Sequence, residues 1–189
     1  DLPQPDASEL RVGIMGMGVL GQAAGIKLKG LGFQVNGWSR SKKTMPGINC
    51  YDGTQLDEFL ARTDILVGLL PYTQETKGIF NSALFAKLSR SSPIGGPVFI
   101  NAGRGKSQVE TDIVSALKSG RLKGASLDVF EEEPLPQGSP LWEMENVVIT
   151  PHIASVSDVK ALAAHVSNQI ERFEAGLELQ YLVDKKAGY

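Results

Sequence analysis

The segment Gly16-Met17-Gly18-Val19-Leu20-Gly21 constrains this chain more than any other, because it joins a short apolar run to an amphipathic one. Arg11-Val12-Gly13-Ile14-Met15 reads as a strand. Leu20, Ala24, Leu28 and Leu31 mark one face of a helix that Gly30 and Gly32 end. Glycines at this spacing divide three tasks. Gly16 permits a tight bend, Gly18 lets a backbone approach a bulky anion, and Gly21 packs helix against strand. A helix N-terminus with unpaired N–H groups follows, which favours phosphate. In a chain with 21 glycines the pattern alone is weak. Its setting between strand and helix makes it a dinucleotide-binding expectation, with Gly16, Gly18, Val19, Leu20 and Gly21 forming the cradle.

The strand-then-helix rhythm repeats. A strand is expected over 33–38, a short run over 48–51, and a helix opened by Thr54 with Asp57 three residues on, burying Leu56, Phe59 and Leu60. The apolar run 65–70 precedes a helix over 81–88. Strand 97–100 leads to a helix carrying Val109, Ile113 and Leu117, which begins near Ser107 and stops at Gly120. Strands over 125–129 and 147–149 precede a last helix marked by Leu162, Val166, Ile170 and Phe173 and ended by Gly176. Nearly continuous apolar strands imply helices on both faces of a parallel sheet. The fold class expected is therefore α/β, a doubly wound, mainly parallel sheet of Rossmann type. Such sheets bind ligands outside the carboxyl ends of their strands. The glycine turn, Ser39-Arg40, Pro71, Arg104, Asp128 and His152 all fall at strand ends of that kind.

Bulk properties exclude several functions. A net charge of −2 with scattered Lys and Arg gives no footprint for nucleic acid or an anionic membrane. No apolar run is long enough to span a bilayer. One cysteine, Cys50, rules out an internal disulfide and suits a reducing, cytoplasmic setting. With only His152 and His165 besides, no metal site is expected. The ligands expected are small molecules.

Sites that bind NAD usually carry an Asp or Glu about 20 residues beyond the glycines, to hold the ribose 2′-hydroxyl. Here that place reads Asn36-Gly37-Trp38-Ser39-Arg40, and Ser39, Arg40, Lys42 and Lys43 are able to donate to a 2′-phosphate. NADPH is therefore favoured over NADH; the competing reading is that these are solvated loop cations. Arg104 stands between a strand and a helix, where its planar fork suits a carboxylate. Taken singly, Arg104 is also an ordinary loop arginine, Glu131-Glu132-Glu133 an ordinary charge run and His152 an ordinary loop histidine. His165 and Cys50 read as packing residues, and Trp142 as a domain or subunit contact.

Taken in order, Val12 to Gly16, Asn101-Ala102-Gly103-Arg104-Gly105, Leu127-Asp128-Val129-Phe130 with Glu133-Pro134, and Pro151-His152 resemble the cofactor half of the D-2-hydroxyacid dehydrogenases. Trp38-Ser39-Arg40, Leu69-Leu70-Pro71 and Pro140-Leu141-Trp142 resemble more narrowly the NADPH-dependent glyoxylate/hydroxypyruvate reductases. The resemblance implies an oxidoreductase acting on a small 2-keto acid. Arg104 would bind the substrate carboxylate, His152 would act as the acid, and Glu133 would pair with it. Leu70, Pro71, Thr76, Ala102 and Asp128 would line the nicotinamide nucleotide. A homodimer through the cofactor domain is also what the family suggests.

The domains expected are a linker remnant over 1–10, a dinucleotide-binding domain over 11–176, and an extension over 177–189 that would return to a substrate half contributed by residues before the glycine turn. Such a chain would turn over poorly alone. Two other readings stand beside this one: a dinucleotide-sensing protein of corepressor type, and a self-sufficient nucleotide-binding module.

Overall fold

The computed structural model describes residues 4–183; residues 1–3 of the expected linker and 184–189 of the expected extension lie outside it. In chain order the elements are β1 (Arg11–Met15), α1 (Val19–Gly30), β2 (Gln34–Trp38), β3 (Asn49–Tyr51), α2 (Leu56–Ala61), β4 (Ile65–Gly68), α3 (Ser82–Phe85), β5 (Val98–Asn101), α4 (Glu110–Lys118), β6 (Gly124–Leu127), β7 (Val147–Ile149) and α5 (Val159–Glu174). The seven strands form one sheet in the order β3-β2-β1-β4-β5-β6-β7. Every pairing is parallel. This is the doubly wound fold, with the order reversing between β1 and β4. The chain divides into two compact units, Asp1–Pro151 with the whole sheet and His152–Tyr189 with α5. Among the described residues no helix is long and apolar enough to cross a membrane.

Side-chain alternation along β1 distributes two apolar layers. Val12 and Ile14 pack with Val35, Ile48 and the α1 residues Ala24 and Leu28. Met15 belongs to the larger layer with Phe59, Leu60, Phe80, Phe85, Phe99, Ile113 and Leu117. On the face shared with Val12 and Ile14, Val98 and Ile100 are half-buried and Val148 is 60% exposed.

Several local expectations need correction. The inner face of α1 is made by Gly21 and Gly25, with Ala24 and Leu28 half-buried, whereas Leu20 and Leu31 are exposed. Glycines without side chains let α1 lie close to the strands, so counting apolar residues misplaces the buried face. The helix expected to open at Thr54 is capped earlier: Asp52 accepts from the Thr54 amide and Gln55 closes the capping box. The helix expected over 81–88 is regular only over Ser82–Phe85, with the Asn81 side chain accepting from the Leu84 amide. A 3-10 turn, Gly105–Ser107, precedes α4. Gly32, Gly120 and Gly176 do end helices at positive φ. The stripe Leu162, Val166, Ile170 and Phe173 lies on α5 and is exposed.

The amino edge of the sheet is tied by one ion pair. Asp64 is fully buried and accepts from the Arg11 amide (2.9 Å), Nε (2.9 Å) and Nη2 (2.7 Å), while the same Nη2 donates to the Ser89 hydroxyl. Removing one member strands the other with its solvation lost. Asp64→Ala is expected to cost about 3 kcal/mol in urea unfolding, with Asp64→Asn costing less; a loss below about 1 kcal/mol would show that the pair does not lock β1 to β4.

Candidate functional site

At the opposite, carboxyl edge the glycine turn leaves β1 where the strand order reverses. Gly16 has φ +114, and a Cβ there would stand 2.5 Å from the Leu69 carbonyl at the end of β4. Its amide donates to the Trp38 carbonyl at the end of β2 (2.9 Å). Gly18 is the N-cap of α1 in extended conformation, and a Cβ added to it meets nothing within 4 Å. A Cβ on Gly21 would overlap the Gly16 carbonyl. The N-terminus of α1 therefore opens on free space, with bare backbone at Gly18 and the exposed side chains of Val19 and Leu20 beside it. That arrangement has room for a phosphate group on helix N–H donors.

After β2, the Ser39 amide donates to Tyr51 and its hydroxyl to the Ser41 carbonyl (2.7 Å), so the hydroxyl must rotate before donating elsewhere. Arg40, Lys42 and Lys43 are exposed. Two carboxylates not visible in the linear pattern lie near these cations. Thr73 hydrogen bonding, with a smaller contribution from Arg40, holds Glu75 below the usual carboxylate range, and Thr54 with a smaller contribution from Lys42 does the same for Asp52. After β4, Leu70 is buried and Pro71 half-buried. The Thr76 hydroxyl closes the following loop, donating to the Pro71 carbonyl and accepting from the Thr73 amide, both at 2.7 Å.

After β5, the Ala102 amide donates to Gly68 on β4, and Gly103 packs against the Leu70 backbone. Arg104 is exposed; its NH1 donates to the Gly103 carbonyl (2.8 Å), leaving further guanidinium N–H groups to serve a ligand. Asp128 follows β6, buried, its amide on the Asn101 carbonyl and its carboxylate accepting from the Thr150 hydroxyl. Glu133 folds back to accept from the Phe130 amide (3.0 Å) and precedes a cis peptide bond to Pro134. The turn is pinned to α4 reciprocally: the Glu131 amide donates to Glu110 and the Glu110 amide to Glu131. Burial pushes the Glu110 carboxyl up, against the amide bond that lowers it. Gln108 carries no signal in the sequence, yet it is buried among these loops, its Oε1 accepting from Asn101 and its Nε2 donating to the Val129 carbonyl.

Within the sheet-bearing unit, the glycine turn, Ser39-Arg40, Leu70-Pro71, Ala102-Arg104 and Asp128 follow β1, β2, β4, β5 and β6 on one edge. His152 is the first residue of the other unit; it is exposed and holds φ 55. Side chains other than glycine rarely adopt that conformation, and strain of this kind clusters at functional sites. His165 packs against Tyr181 within its own unit, the rings tilted by 54° with centroids 5.6 Å apart. Trp142 is half exposed, its indole N–H on the Pro136 carbonyl. Among the described residues no group of three or more His, Cys, Asp or Glu is arranged to hold a metal ion.

Residues 1–154 match the family model described as "D-isomer specific 2-hydroxyacid dehydrogenase, NAD binding domain". The chain is 44% identical over its whole length to glyoxylate/hydroxypyruvate reductase A of Klebsiella pneumoniae strain 342, covering 59% of that protein. It superimposes with TM-score 0.98 and 63% identity on the NADPH-dependent glyoxylate/hydroxypyruvate reductase of Sinorhizobium meliloti in complex with NADP and sulfate, covering all of this chain and 60% of that one. A probable 2-hydroxyacid dehydrogenase of Rhizobium etli CFN 42, in complex with NADP, HEPES and L(+)-tartaric acid, gives 0.97 and 61%, again over all of this chain and 60% of that one. The chain thus spans about 60% of the length of these relatives.

The two exposed and packed glycines of the turn are expected to respond differently to a methyl group. Gly18→Ala has space and an allowed backbone, so stability should change by less than about 1 kcal/mol while dinucleotide affinity falls at least about tenfold. Gly21→Ala must displace the Gly16 carbonyl and should cost about 1–3 kcal/mol in thermal unfolding. Equal loss of stability in both variants would contradict this division of roles.

Proposed function

This chain belongs to the D-isomer-specific 2-hydroxyacid dehydrogenase family, and from that premise we propose that it is the cofactor-binding part of an NADPH-dependent reductase of glyoxylate or hydroxypyruvate. The observation that carries the cofactor choice is the end of β2, where Ser39 and Arg40 stand in place of a carboxylate. A carboxylate there would repel a 2′-phosphate, whereas one charge-assisted hydrogen bond of about 1.5–3 kcal/mol gives a preference of about 10- to 150-fold. The relatives from S. meliloti and R. etli bound to NADP support the same choice.

When bound, the nicotinamide supplies a hydride to the keto carbon. The chain's own groups then have distinct tasks. The Gly16–Gly21 turn and the N-terminus of α1 hold the pyrophosphate, with Val19 and Leu20 alongside. Leu70, Pro71, Thr76 and Ala102 would line the nicotinamide end, and Asp128, oriented by Thr150, would hold the carboxamide. Arg104 grips the substrate carboxylate with its free guanidinium edge and stabilises negative charge developing on the keto oxygen. His152 is the proton donor to that oxygen, and Glu133, held by the Phe130 amide, is the carboxylate of the site. The groups that select among keto acids belong to the part of the relatives' length that this chain does not span. A cytoplasmic location, which the single cysteine suits, and a homodimer through the cofactor domain complete the proposal.

Titration of the chain's tryptophan fluorescence should give NADPH a dissociation constant at least about tenfold below that of NADH, and Arg40→Gln should erase most of that difference. NADH binding tighter than NADPH would overturn the cofactor assignment and leave the fold intact. In the complete protein, His152→Ala should lower kcat by about 10²- to 10⁴-fold with NADPH affinity unchanged. Parallel loss of both would make His152 structural, and binding without any keto-acid turnover by the unaltered protein would favour the sensing reading.

A further inference from the structure

We infer that Asn101 and Gln108 are positioning residues that hold the Arg104 loop in fixed register with the Glu133 turn; the inference rests on the reading of Arg104 and Glu133 above. Both side chains are buried, Asn101 at 0% and Gln108 at 2% exposure. Asn101 Oδ1 accepts from the Gly103 amide (3.0 Å), and its Nδ2 donates to Gln108 Oε1 (2.7 Å), with a longer contact to the Arg104 carbonyl (3.4 Å). Gln108 Nε2 crosses to the neighbouring loop and donates to the Val129 carbonyl (2.9 Å). The next amide in that loop, Phe130, is the one that donates to Glu133. A continuous path of hydrogen bonds and one peptide bond therefore runs from the backbone either side of Arg104 to the Glu133 carboxylate.

Backbone packing reinforces the path. Gly105 lies so close to the Phe130 backbone that a Cβ would overlap its carbonyl. The Arg104 carbonyl also accepts from the Ser107 amide (3.1 Å), and the Gly105 carbonyl from the Gln108 amide (2.9 Å). An apolar residue at 108 would strand the Val129 carbonyl and the Asn101 amide in a buried place, so the polar pair cannot be exchanged silently. Two loops from different strands, one bearing a cation and one an acid, are thereby joined by a side chain that itself reaches no solvent. Misplacing a binding group by about 1 Å costs on the order of 10²-fold in rate, which gives such a link functional weight.

The test uses the complete protein with NADPH and glyoxylate, comparing Gln108→Met with the unaltered protein. A positioning role is expected to lower kcat/KM on the order of 10²-fold, keep the NADPH dissociation constant within about twofold, and speed amide exchange at Gly103, Gly105 and Phe130 at least about tenfold. Unchanged kcat/KM and exchange overturn the inference, as does a loss of thermal stability and NADPH affinity together. Gln108→Glu serves if the Met variant does not fold. Its protonated carboxyl is able to donate to Val129 as the amide does, so its kcat/KM relative to the unaltered protein should fall as pH rises from about 5 to about 9; a flat ratio overturns the inference. Ser107→Ala, which removes a buried hydroxyl that makes no hydrogen bond, should change none of these readouts. If the unaltered protein turns over no keto acid, the proposed function fails, and the exchange rates on their own decide whether the link holds the loop.

Discussion

The close approach of the Gly16 backbone to Leu69 is the contact on which the rest of the arrangement depends. It lies at the boundary between β1 and β4, where the strand order reverses and successive connections diverge. A side chain at Gly16 would push the ends of these strands apart. Without one, the turn rises from β1, takes its amide bond from β2, and delivers the N-terminus of α1 to the mouth of the crevice. Parallel pairing then sets the other loops on the same edge, because each strand that ends there feeds its connection into the same space.

The two edges of the sheet are built by different chemistry. At the amino edge a partly buried ion pair, Arg11 with Asp64, joins strands that are distant in sequence. At the carboxyl edge neutral side chains satisfy backbone groups alongside the carboxylates of Glu110, Glu131 and Glu133: Asn81 for α3, Thr76 for the loop after Pro71, Asn101 and Gln108 for the loop after β5. Charged groups there, such as Arg104 and Arg40, remain exposed.

Much of this was legible in the chain because strand and helix periods differ. The apolar runs at 65–70 and 97–100 marked strands, and Gly32, Gly120 and Gly176 marked helix ends at positive φ. The buried face of α1 was not legible, since Gly21 and Gly25 bury backbone instead of apolar side chains. The cap at Asp52 was present as Asp-x-x-Gln, but Thr54 offered a competing signal two residues later. At the site, residue type and order pointed to the strand-end positions. The nearness of Glu75 to Arg40 and of Asp52 to Lys42, and the bond from Gln108 to Val129, did not show, because each depends on loops brought together from different strands, and no local spacing encodes that.

On the proposed function, ligand chemistry is confined to the carboxyl edge of the sheet. Amide chemical-shift mapping of the isotope-labelled chain with NADPH tests it most directly. Large shifts are expected at Gly16 to Gly21, Ser39 and Arg40, Leu70 to Thr76, Ala102 to Gly105, and Asp128, with Arg11, Asp64 and Ser89 unmoved. Shifts centred on the Arg11, Asp64 and Ser89 edge, or spread without preference over both edges, would contradict it.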